Sequence, residues 1–155
     1  EYLDDLVGTE RALMPPSGPA RRAALRILAF ATGAAEKAIQ IVGERVFRPE
    51  EKWHAPYVER CRTQMRGALG ELDAACAQAA DREWLIGDDS GNGRIGQADI
   101  TVGCFVTYVR EAVPEPIDDF PALRARVDRY QALPVFQRYY APFDLPKPTT
   151  ASVSA

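Results

Sequence analysis

Three cysteines and a single histidine in 155 residues leave little material for metal chemistry or a disulfide scaffold. No Cys-x-x-Cys spacing occurs, and His54 stands without Cys or Ser partners nearby in sequence, so neither a zinc site nor a catalytic histidine is expected. Cys61 and Cys76 fall on one helical stretch. At 1.5 Å rise per residue they would lie about 22 Å apart, beyond disulfide reach. The expected role of the cysteines is that of small buried hydrophobes in a reducing compartment, which points to the cytoplasm. An excess of charge is also missing. A net charge of −3 supplies no field for nucleic acid and no polybasic patch for a membrane surface. The longest uncharged helical stretch is about ten residues, half of what a bilayer span needs. The chain opens on Glu-Tyr-Leu-Asp-Asp rather than a basic and then apolar leader, so no secretory signal is expected. There is no strand alternation of any length and no internal repeat.

What is present is helical periodicity around one strong start signal. Ile95-Gly-Gln-Ala-Asp-Ile100 reads as a helix entry. Gly96 takes the N-cap position, and Asp99, three residues on, can reach back to a free backbone N–H. Ile95 and Ile100 occupy the positions of a hydrophobic staple. From Ile100 to Val109 no residue is charged. The reading is a dry central rod, wrapped on all sides by other helices. Asp99 is therefore read as a helix cap rather than as a general base.

The remaining segments follow the same period. Glu1 to Val7 is a short amphipathic piece, followed by the rigid connector Leu13-Met-Pro-Pro-Ser-Gly-Pro19. A long helix starts near Pro19 and ends at Arg48-Pro49. Leu25, Leu28, Thr32, Ala35, Ile39, Val42 and Val46 form its seam, and Ile27, Ala31, Ala34, Ala38 and Ile41 an adjoining strip. Together they make an apolar arc of roughly 200°, which calls for neighbours on two sides. A second helix begins by about Glu50, kinks at Pro56 and runs to about Ala80, with Tyr57, Cys61, Met65, Ala68, Leu72, Cys76 and Ala79 inward. The loop from Gly87 to Gly93 leads to the central helix, which ends at Pro114 and Pro116. A fourth helix starts around Phe120-Pro121, capped by Asp118 or Asp119. Its Leu123, Val127 and Tyr130 point inward, and Arg124, Arg126 and Arg129 outward. Leu133-Pro134 opens a last short turn of helix. The fold class is all-α, a bundle of about five helices.

Four elements in this order and spacing resemble one family. Glu1-Tyr-Leu-Asp-Asp5 with Leu13-Met-Pro-Pro, Trp84-Leu-Ile-Gly87, Gly96-Gln-Ala-Asp-Ile100, and Phe120-Pro-Ala-Leu123 leading to Leu133-Pro-Val-Phe136 resemble the C-terminal helical domain of cytosolic glutathione transferases. Gly96 departs from the Ser or Thr usual there. The resemblance divides the chain into residues 1–16, the tail of a thioredoxin-like domain with a linker; 17–143, the helical domain; and 144–155, a loosely ordered tail. It implies glutathione as co-substrate, with no further cofactor, and a small electrophile. It also implies a homodimer, with the thiol-activating residue in the domain ahead of Tyr2. No catalytic residue and no metal ligand is then expected in this chain. The isolated chain is expected to be inactive and to self-associate through exposed apolar surface. The alternative is a non-catalytic protein-association module on the same scaffold.

Candidates for an electrophile pocket come from two helices. Arg22, Arg26, Phe30, Gly33 and Lys37 share one strip of the long helix, where an aromatic among cations suits a ligand with an apolar body and an anionic end. Tyr108 and Phe105 of the central helix could reach a pocket wall, against the alternative that they pack in the core. Trp53 and Trp84 are read as packing residues.

Overall fold

Six α-helices and two single 3-10 turns make up the computed structural model, which describes residues 2–86, 93–113 and 117–144. Among these residues there is no strand. Helix α1 (Tyr2–Val7) ends at Gly8, whose φ of +78° suits a residue without Cβ. Helix α2 (Gly18–Phe47) carries Pro19 in its first turn, where a missing N–H costs nothing. Helix α3 (Ala55–Gln78) likewise begins with proline. Pro56 therefore starts this helix instead of kinking one already under way, and Glu50–Lys52 before it is a separate 3-10 turn. Helices α4 (Gln97–Ala112), α5 (Pro121–Gln131) and α6 (Pro134–Tyr139) complete the set. The five bundle helices match the expected number, with α1 outside them. The expected helix stops at Pro114 and Pro116, the Gly87 end of the Trp84 element, the loop as far as residue 92 and the tail beyond residue 144 lie outside the described residues.

Helix α2 lies against both α3 and α4, and α5 packs on those two in turn. The closest face of α2 is the strip Ile27, Ala31, Ala34, Ala38 and Ile41, all buried. Its alanines let neighbouring helices approach. The strip read as the seam is less buried: Leu25 and Ile39 are exposed, and only Ala35 is fully covered. On α3 the core row is Cys61, Met65, Leu69, Leu72, Cys76 and Ala79. Leu69 takes the position given to Ala68, and Tyr57 stays at the surface.

Two expectations about polar residues are corrected. Asp118 and Asp119 do not cap α5. They pair with Arg124 and Arg66, and the Leu123 N–H donates instead to Asp73 of α3 at 2.9 Å. Arg126 points inward. Its guanidinium donates to the carbonyl of Ala79, the C-cap of α3, and to those of Arg82 and Glu83 in the turn that follows. Helices α3 and α5 thus cap each other. Glu44 is buried as well; it accepts from the His54 N–H and pairs with Arg48, closing the α2–α3 corner.

Candidate functional site

Helix α4 carries two unlike faces, and the site is built on the contrast between them. On the inner face Asp99 is fully buried and accepts three hydrogen bonds: from the Gly96 N–H at 2.9 Å, from the Leu85 N–H at 2.8 Å and from the Tyr130 hydroxyl. The carboxylate caps α4 as expected, and it also ties in the Trp84–Ile86 turn and α5. Tyr130 lies between Trp84 and Phe136, with ring centroids 6.1 and 5.9 Å away. Burial pushes its hydroxyl far above the usual phenol range, with the Asp99 charge adding to the shift. Phe136 sits directly on Gly103, where a Cβ would come within 2.5 Å of the ring.

Gly96 has no side chain to accept the Asp99 N–H, so only half of a capping box forms. The linker satisfies a different N–H. The Gln97 N–H donates to the Leu13 carbonyl at 2.9 Å, and a Cβ on Gly96 would meet that oxygen at 3.1 Å. Glycine stands here because a backbone comes close.

The outer face of α4 is open, which corrects the expectation of a rod wrapped on all sides. Cys104 and Phe105 are exposed, and the helices packed most extensively on α4 are α2 and α5. A groove of about 500 Å³ runs between this face, α6 and the segment up to Phe143. Its walls include Cys104, Tyr108, Phe136, Tyr139 and Phe143. Glu111 is the one charged residue among those lining it. It accepts from the Tyr140 hydroxyl at 2.6 Å and the Phe143 N–H at 2.9 Å. The first of these bonds raises the Tyr140 pKa. Tyr108 meets the Phe143 ring edge-on at 5.0 Å.

The five pocket candidates do not converge. Arg26 and Phe30 line a separate groove of about 430 Å³ between α2, the end of α3 and Leu85–Ile86. There Arg26 stacks over Phe30 at 5.4 Å and pairs with Glu71. Tyr108 belongs to the α4–α6 groove, and Arg22 and Lys37 line neither. Burial raises the Cys104 thiol, and it holds the Cys76 thiol at about 11. No group of three potential metal ligands occurs among the described residues, and no described helix is long and apolar enough to cross a membrane. Glu111, Tyr140 and Phe143 carried no sequence signal, since their bonds join positions about thirty residues apart.

Residues 55–148 match the family described as glutathione S-transferase, C-terminal domain. The fold is similar to that of a glutathione S-transferase from Methylobacterium radiotolerans solved in complex with glutathione sulfonate, with 27% identity over 94% of this chain and a TM-score of 0.74. It is also similar to a glutathione transferase family member from Pseudomonas fluorescens Pf-5 with bound glutathione, with 27% identity over 92% of this chain and a TM-score of 0.75. A theta class glutathione S-transferase from Xanthomonas axonopodis pv. citri gives 25% identity over 88% and a TM-score of 0.61. The chain spans 66%, 64% and 68% of these three proteins, respectively. No curated protein matches it.

Proposed function

The chain belongs to the glutathione S-transferase C-terminal domain family, and from that premise we propose that it is the electrophile-side half of a glutathione transferase. The observation that carries this reading is the groove on the outer face of α4. It is aromatic, nearly free of charge, and lined by exposed Val135, Tyr139 and Tyr140. Aromatic enrichment with charge depletion is the composition of an interface core, and a patch of this kind is rarely left uncovered. In our reading the glutathione-binding, thioredoxin-like half of the parent protein seats on this groove. The electrophile lies at the junction, with Tyr108 on one wall.

The chemistry of the parent is attack by the glutathione thiolate on an electrophilic carbon, with loss of a leaving group or addition. The thiolate is generated in the upstream half. The helical half contributes shape and orientation, which act by holding the reacting atoms in line. The parent is a cytoplasmic homodimer in this reading, and the isolated chain self-associates at micromolar concentration.

The test compares this chain alone with the chain joined to its upstream half, using a chromogenic electrophile and glutathione. The reading expects conjugation only in the joined protein. Conjugation by the 155 residues alone would contradict the division of labour. A joined protein that never conjugates would favour the association module.

A further inference from the structure

The segment between α1 and the bundle is held like a structural element and not like a tether. Arg94, seven dozen residues away in sequence, directs its guanidinium onto three linker carbonyls: Glu10, Ala12 at 2.6 Å and Thr9 at 3.3 Å. The linker is also folded on itself, with the Arg11 and Ala12 N–H groups both donating to the Gly8 carbonyl at 3.0 Å. At its end Leu13 is fixed from two sides. Its N–H donates to the Asp4 carboxylate at 2.8 Å, and its carbonyl accepts the Gln97 N–H of the α4 cap. Arg21 holds the Pro15 carbonyl just beyond, at 3.0 Å.

Three converging carbonyl oxygens make a negative concavity that a planar guanidinium fills and a lysine cannot, because only the fork reaches several acceptors at fixed angles. Helix α1 has no buried residue of its own, so burial does not orient it. Its direction relative to the bundle depends on these polar contacts.

We infer that Arg94 is a positioning residue: it clamps residues 9–12 to the start of α4 and so fixes the angle at which α1, and the upstream half it would continue from, meets the bundle. The functional consequence rests on the two-half reading above. If thiolate and electrophile sit on different halves, this angle sets their distance, and a small misalignment lowers turnover without weakening either substrate's binding.

Amide exchange on this chain tests the clamp directly. In Arg94→Ala, the amides of Arg11, Ala12 and Leu13 are expected to exchange about tenfold faster, with the interior of α4 unchanged. Arg94→Lys should fall between the two. Unchanged linker exchange in a folded Arg94→Ala overturns the proposal. Should that variant unfold, the Lys variant decides by the same readout. In the joined, active protein Arg94→Ala is expected to lower kcat at least tenfold with KM for glutathione unchanged, and an unaltered kcat overturns the alignment role. Exchange does not depend on transferase activity, so loss of the two-half reading leaves the first arm intact.

Discussion

A third of a turn around α4 separates a carboxylate with no solvent exposure from a phenylalanine with 37% exposure. On the inner side Asp99 gathers donors from the α4 cap, the Leu85 turn and α5, and every buried side-chain polar atom among the described residues has a partner. On the outer side Phe105 and Cys104 are exposed, and the bonds of Glu111 hold the Tyr140–Phe143 segment. The difference teaches which residues to test for what. Changes on the inner face should cost stability, and changes on the outer face should cost recognition while leaving the bundle folded.

The largest effect is expected from Asp99→Ala. It leaves two backbone N–H groups and a buried hydroxyl without an acceptor, a loss of about 3–5 kcal/mol in chemical denaturation. A loss under 1 kcal/mol would show that the inner face is not the keystone. Next is the alkaline limb of stability. The Cys76 thiol titrates near 11 in the fold against 9.0 ordinarily. Its contribution is therefore full below pH 9 and disappears as pH rises through 11, amounting to roughly 2–3 kcal/mol at most. A Cys76→Ala variant should show a flatter decline than the wild type over that window.

Gly103→Ala comes third. Phe136 must move off α4 to admit the methyl, which costs about 1–3 kcal/mol. Near-neutral behaviour would mean that the Trp84–Tyr130–Phe136 stack slides freely. The smallest stability effect belongs to the outer face. Tyr108→Ala removes one edge-on ring contact, about 0.5–1.5 kcal/mol. In the joined protein it should raise KM for the electrophile several-fold and leave KM for glutathione alone.

Much of this architecture was legible in the chain. The Gly96–Asp99 start, the alanine strip of α2 and the proline-opened helices follow from local spacing, and spacing also predicted an all-α bundle. Long-range polar bonds were not legible. Arg126 looked like a solvated arginine because it stands among Arg124 and Arg129, which are exposed, and only the carbonyls of Ala79, Arg82 and Glu83, 43 to 47 residues earlier, draw it inward. The same holds for Asp73 as the cap of α5 and for Arg94 on the linker. The absence of charge from Ile100 to Val109 suggested burial all round, yet uncharged residues also line a surface meant for a partner. For the site, Tyr108 lies at the α4–α6 groove, and composition gave no means of telling that Arg26 and Phe30 lie at a different one.

The most direct test of the two-faced helix is Phe105→Glu, assayed for conjugation in the chain joined to its upstream half. A charge at that position should leave the isolated bundle's stability within about 0.5 kcal/mol, as for an exposed surface site. It should lower conjugation at least tenfold by unseating the upstream half. Full activity with a glutamate in the middle of the open face would mean that nothing docks there.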